Sequence, residues 1–460
     1  MTDNRNDHSV SEPIYDLIGV GFGPANLSLA IALEEEAERP GGEDVSRLFL
    51  EARMDPCWHP GLLIEDSRIQ ITVLKDLVTL RNPRSRFTFL SYLKEKDRLF
   101  EFLNLRDLFP SRVEFNDYLC WAGEQLADRV RYGRRVTAIE PVEDEAGRVR
   151  VVRVRSRNEA DGSEEVRLAR NVVVATGPRR WLPDGIELPG GELEDRVFHA
   201  YDFMQRMDRG FPDRNGRHRL VVVGGGQTGA ELFWTLMKRY PNADVTATVR
   251  GFGYKPVDES DFINQVFFPE MIDFFYNLPD DKRKKVFDSF RDVNYAVVDH
   301  PLIQKIYRFL YDERVAGKNR ARLLPYMHLE SIGTEGDEVR LRFRHVIEER
   351  PVEIACDGLI VASGFRWNRE HPLIQGLADR FESDASGSYR ILRDYRVAGR
   401  PGFEVGVYLQ GYCEETHGIS ETVLSLLPMR AQDIVESLAE RLDGGREVEE
   451  LGAVAAGGEG

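Results

Sequence analysis

Two glycine clusters, at residues 19–26 and 224–231, constrain this chain more than any other feature. The first reads Gly19-Val-Gly21-Phe-Gly23-Pro24-Ala-Asn26 and stands between a β-rich run at 15–20 and a helical pattern at 26–36. The second reads Gly224-Gly-Gly226-Gln227-Thr228-Gly229-Ala-Glu231 and follows Leu-Val-Val-Val at 220–223. A strand entering such a turn and leaving as a helix lets the backbone approach a pyrophosphate, whose charge the helix N-terminus stabilises. Further short β-rich runs at 171–175 and 358–362 also end in glycine turns. The chain therefore reads as α/β, with more than one doubly wound parallel sheet.

At 460 residues the chain has room for about three domains or subdomains. Hydrophobic residues make up 42% and charged ones 30%, the profile of a globular protein. A net charge of −16 argues against nucleic acid as a partner, although a small anionic cofactor needs only a local cationic pocket. Cys57, Cys120, Cys356 and Cys413 form no CxxC pair, so neither a metal site nor a redox dithiol is expected. The polar N-terminus lacks an export signal and the longest apolar run, 17–33, is broken by glycines; a cytoplasmic location without a membrane span is expected.

Residues 1–12 and 444–460 lack apolar periodicity and read as flexible tails. Between them the expected partition is a first nucleotide domain over 13–205 and 357–443, and a second over 206–257 and 331–356. A mostly helical insertion at 258–330 is expected to bind substrate. The aromatic-rich stretch 81–128 is expected to form helices over the first domain. Alternation at 149–154 followed by Asp161-Gly162 predicts a surface hairpin.

The first cluster is followed by Leu48-Phe-Leu-Glu51, a strand ending in an acid suited to a ribose hydroxyl. Its distance from Gly21 exceeds the usual spacing of about 20 residues, and the polar insertion 34–47 accounts for the excess. After the second cluster, the run 244–249 ends at Arg250 with no carboxylate. A guanidinium there pairs with a 2′-phosphate that an acid would repel, which favours NADPH over NADH. Lys255 is placed either to assist or simply to be a solvated lysine. An N-terminal dinucleotide site and a mid-chain NADPH site are the layout of a flavoprotein that binds FAD first and is reduced by NADPH. The fold expected is two Rossmann-like domains, for FAD and NADPH, with the helical insertion between their parts.

Disulfide reductases of this layout need a cysteine pair. Baeyer-Villiger and dimethylaniline-type monooxygenases carry FxGxxxH, and around His199 this chain has Leu193 and Asp195 instead of Phe and Gly. The segments that remain are Trp58-His59-Pro-Gly61, the run from Ile69 and Gln70 through Lys75 to Pro83, DESDFINQVFF at 258–268, NYAVVD at 294–299 and THGISETVLS at 416–425. In that order, over about 14–440, they closely resemble the N-hydroxylating flavin monooxygenases of siderophore biosynthesis, the L-ornithine N5 and L-lysine N6 monooxygenases. The LRNP and FLNL pieces look more like the ornithine branch.

The resemblance implies that Lys75 and Asn264 hold the substrate's α-carboxylate and α-amino group. Asn294 would lie near the flavin–oxygen adduct and the nicotinamide ribose, Gln70 would protect that adduct, and Thr422 would sit near substrate and flavin. Trp58 and His59 are expected beside the flavin, though His59 and His417 would also suit packed core positions. The implied reaction runs through a C4a-hydroperoxyflavin whose distal oxygen is attacked by a free amine. An alkyl amine titrates near ~10.4 in water, and a poorly solvated pocket favours the neutral nucleophile. L-Ornithine is the expected substrate; L-lysine, a diamine or L-aspartate, or an NADPH oxidase or redox sensor that hydroxylates nothing, are the alternatives. A homo-oligomer, dimer or tetramer, is implied as well.

Overall fold

The computed structural model describes residues 13–456, so residues 1–12 and 457–460, expected as parts of the tails, lie outside the described residues. The rest of the expected C-terminal tail is helical: Leu427–Ala456 is a single helix. Alanine, glutamate and leucine are strong helix formers, and they carry the helix through Gly444-Gly445 without an apolar stripe.

The first sheet has strands in the order Val130–Arg131, Arg47–Leu50, Ile14–Val20, Glu164–Val174, Val149–Asn158, Arg134–Glu143, with Gly406–Leu409 also on Glu164–Val174. The strand Glu164–Val174 serves two structures at once. Its first half closes the expected hairpin with Val149–Asn158, and its second half runs parallel between Ile14–Val20 and Gly406–Leu409. Buried on both faces, those parallel segments read as continuous apolar runs. The stretch 81–128 forms the helices Phe89–Glu95, Leu99–Asn104 and Arg112–Glu124, and Phe89, Tyr92, Phe115, Tyr118 and Trp121 join the core of this lobe.

The second sheet is all parallel, in the order Ala321–Leu324, Asp244–Thr248, Arg219–Val223, Gly358–Val361, Val197–His199. This moves the expected boundaries. Residues 197–199 and 358–361, expected in the first domain, and 321–324, expected in the helical insertion, all pair in the second sheet. Strands of three or four residues gain their place from partners far along the chain. The segment expected as the last part of the second domain contributes instead to a separate antiparallel sheet, Met327–Glu335, Glu338–His345 and Arg350–Cys356, packed on that domain through Val339, Leu341 and Phe343. The insertion itself holds the helices Glu270–Asn277, Asp280–Ser289 and His300–Val315.

The chain crosses between the sheets twice, and the two crossings pair as a ribbon, Arg179–Arg180 with Phe365–Arg366. A bidentate ion pair ties the lobes elsewhere: Arg112 Nη2 donates to both Glu231 carboxylate oxygens at 3.0 and 2.9 Å. Among the described residues no helix is long and apolar enough to cross a membrane.

Candidate functional site

The two glycine turns open onto one cavity of about 1500 Å³ between the lobes. A single small-molecule site usually encloses roughly 300–1,000 Å³, so this one has room for two nucleotides. In both lobes the turn abuts the end of a neighbouring strand. A Cβ on Gly21, where φ is +84°, would lie 2.6 Å from the Ala175 carbonyl oxygen; one on Gly224 (φ +155°) would lie 2.4 Å from that of Ala362. The runs Ala175-Thr-Gly177 and Ala362-Ser-Gly364 are thus the matching walls of the two turns. Helices Pro24–Ala37 and Gln227–Arg239 start from Gly23 and Gly226 with no side-chain cap, leaving first-turn N–H groups for an anion.

Gly21→Ala is expected to cost flavin retention, because the added methyl needs both a left-handed backbone and space that the Ala175 carbonyl occupies. The check is the flavin-to-protein absorbance ratio of the purified variant; a full yellow complement would contradict it.

Of the expected cofactor residues, Gly21, Gly23, Pro24, Glu51, Trp58, His59, Gln70, Gly224, Gly226, Gln227, Thr228, Gly229, Arg250 and Thr422 line this cavity. Glu51 is held by two backbone donors, Phe22 N–H at 2.7 Å and Arg53 N–H at 2.8 Å. The Gln227 side chain is spent on Glu231 and the Asp299 N–H, so its backbone is what faces the cavity from the helix start.

Three cofactor assignments are corrected. Gly19 lies off the cavity, and a Cβ there would sit 2.2 Å from the Phe49 ring, so its glycine serves packing. Asn26 is buried: its amide donates to the carbonyls of Gly21 and Val20 at 2.7 and 3.3 Å and its oxygen accepts from Gln410, so it braces the turn. Lys255 is also off the cavity, its ammonium paired with the Asp292 carboxylate.

His59 fits a bound group. Its backbone is left-handed (φ 48°), its ring meets Trp58, Tyr201 and Phe365, and its buried Nδ1 has no hydrogen-bond partner among the described residues. Burial, helped by the Arg112 and Arg53 charges, lowers its pKa to about 4, so the imidazole is neutral. His417 is a core histidine: it stacks on Tyr395 at 4.3 Å and bonds to Thr416 and the Arg393 carbonyl, and burial lowers its pKa to about 3.

Of the expected catalytic and substrate residues, Gln70, Asn294 and Thr422 line the cavity, while Lys75 and Asn264 lie outside its walls. One apolar cluster, Val266, Phe275, Val293 and Ile419, nevertheless packs together the segments that carry Asn264, Asn294 and Thr422. The Thr422 hydroxyl donates to Glu414 Oε1 at 3.1 Å. Burial pushes the Glu414 carboxyl up to about 7.

Sequence reasoning missed the polar chain under this site. Arg430 and Glu421, both buried cavity residues, form an ion pair; Arg430 Nε also donates to Gln410 Oε1 at 3.1 Å, and Gln410 donates to Asn26. A lone arginine in the apolar run 424–431 was the available signal.

Two glycine turns, each set among parallel strands and opening on one cavity between the lobes, define the class, a protein with two dinucleotide-binding lobes. The chain belongs to the L-lysine 6-monooxygenase/L-ornithine 5-monooxygenase family, whose pattern matches residues 13–367. It is 41% identical to the L-ornithine N(5)-monooxygenase of Burkholderia cepacia, covering 88% of this chain and 90% of that one. Among solved structures it resembles the Kutzneria sp. 744 ornithine N-hydroxylase KtzI with reduced FAD, NADP+ and L-ornithine (36% identity, TM-score 0.87, 93% and 100% coverage). It also resembles the L-lysine 6-monooxygenase of Pseudomonas syringae (33% identity, TM-score 0.80, 93% and 99% coverage). The chain is an N-hydroxylating flavin monooxygenase that uses FAD and NADPH.

Proposed function

We propose that this enzyme hydroxylates the side-chain amine of L-ornithine at N5, supplying a hydroxamate siderophore or related product. The observation that carries the reading is the packing of the segments bearing Asn264, Asn294 and Thr422 around one apolar cluster, at the cavity both nucleotide turns share. Similarity to ornithine enzymes over most of the chain supports the choice among amines.

The turn at 21–23 with Glu51 holds FAD, and the turn at 224–229 with Arg250 holds NADPH. Bound and reduced, FAD supplies the activation of dioxygen. The chain's own part is to hold an uncharged amine where water is scarce. A neutral His59 and the neutral amides of Gln70 and Asn294 orient groups without returning a proton to the amine. Because the Thr422 hydroxyl proton goes to Glu414, its lone pairs face the substrate as acceptors for an N–H. Lys75 pairs with the α-carboxylate, and a diamine lacking that group would leave the ammonium unmatched. The exposed Phe100 and Leu103 on the helix Leu99–Asn104, with Leu105 just after it, support a dimer or tetramer as part of this reading.

Hydroxylamine formation with NADPH and air is expected to be fastest per KM with ornithine, ahead of lysine, cadaverine and aspartate. A higher kcat/KM with another amine would replace ornithine. NADPH oxidation without hydroxylamine from any of them would leave only an oxidase.

A further inference from the structure

The ribbon between the lobes carries an unbalanced charge. Its register sets Arg366 directly opposite Arg179. Cross-strand partners share a face, and like charges in that position destabilise a pair. Trp181 continues the ribbon, its N–H donating to the Gly364 carbonyl at 3.0 Å, and stands two residues from Arg179, on the same face. The Arg366 guanidinium lies 4.7 Å from the Trp181 ring centroid. From the other side Arg250, at the end of the second lobe's strand, reaches the same ring at 5.9 Å. All four residues line the cavity.

Other cations of the two lobes behave differently. Arg180 is bound by Asp202, Arg430 by Glu421 and Lys255 by Asp292. Among the described residues the guanidinium groups of Arg179, Arg250 and Arg366 have no carboxylate partner and no hydrogen bond. In a protein with 78 acidic residues against 62 basic ones, two guanidinium groups meet on one indole and a third, Arg179, stands cross-strand from one of them. Mutual repulsion opposes that grouping, and a dianion placed between the cations reverses its sign.

We infer that Arg366, supported by Arg179, joins Arg250 in binding the 2′-phosphate of NADPH. A phosphomonoester is the chemistry that fits: guanidinium forks pair bidentately with phosphate oxygens, and cation–π contact with the indole holds Arg366 and Arg250 near one another. Arg366 takes the second cationic place that the sequence offered to Lys255. The inference rests on NADPH being the reductant.

The test is calorimetric titration of the FAD-loaded protein with NADP+, NAD+ and inorganic phosphate. The wild type is expected to bind NADP+ more tightly than NAD+. Arg366→Ala is expected to weaken NADP+ roughly 10- to 100-fold, the range of a lost charge-assisted hydrogen bond, and to leave NAD+ within about twofold. Arg366→Lys should recover part of the loss and flatten the salt dependence less than the alanine variant does. Unchanged NADP+ affinity in Arg366→Ala would overturn the assignment, as would equal weakening of NADP+ and NAD+, which marks a ribbon support instead of a phosphate ligand. Competition by inorganic phosphate against NAD+ as strongly as against NADP+ would place the anion elsewhere on the nucleotide and also overturn it. A wild type that binds both nucleotides equally would sink the NADPH reading itself, before any variant is made.

Discussion

Lys75→Ala is expected to raise the apparent KM for ornithine roughly 10- to 100-fold, the scale of a lost charge-assisted hydrogen bond, while NADPH oxidation continues without matching hydroxylamine. Lys75 is half-buried, and burial lowers its pKa. Among the described residues its ammonium has no hydrogen bond or ion pair. Its loop is rigid: the buried Asp76 carboxylate accepts from the N–H groups of Val78, Thr79 and Phe89 at 2.9, 2.7 and 2.7 Å. An ammonium desolvated at a fixed point, five residues from Gln70 on the cavity wall, suits a carboxylate brought by the substrate. Cadaverine, which has none, should turn over at least as well in the variant as in the wild type, because the unmatched ammonium is gone. Separate assays of hydroxylamine and NADPH read both quantities, and an unchanged KM for ornithine would remove the carboxylate role.

Glu421→Ala is expected to cost about 3–5 kcal/mol of stability, the range for breaking a buried ion pair from one side. Glu421 is 3% exposed and Arg430 4%. Burial pushes the Glu421 carboxyl up and Arg430 opposes that shift. Removing the acid strands the guanidinium, which keeps only the Gln410 oxygen and the Glu421 carbonyl, the latter at 2.6 Å. Because Gln410 also holds Asn26, the damage should reach the first glycine turn and loosen FAD. Denaturant unfolding followed by flavin fluorescence measures both; a loss under about 1 kcal/mol, the level of a surface pair, would contradict the buried-pair account.

The strand–glycine–helix units were legible because they are local: a run of apolar, β-branched residues, a turn needing positive φ and a helical continuation all fall within some twenty residues. Gly21 and Gly226 belong to those units and line the cavity; Gln70, which also lines it, was reached only through the resemblance. Gly19 and Asn26 were misassigned because a motif fixes spacing but not which face a side chain takes, and both face protein. Lys255 was open because its partner, Asp292, lies 37 positions on, beyond any local pattern. The strands Val197–His199 and Gly358–Val361 were placed in the wrong lobe because a four-residue apolar run carries no record of its neighbour. Arg366 and Trp181 were invisible as a pair for a related reason, since only the register of two short crossings sets them together.

The position of Gly406–Leu409 in the first sheet has a consequence for biosynthesis. The strands of the second sheet are all contained in residues 197–361, so a nascent chain can assemble that lobe while the remainder is still on the ribosome. The first lobe begins first but is finished last, because the edge beside residues 171–174 waits for a segment near the end of translation.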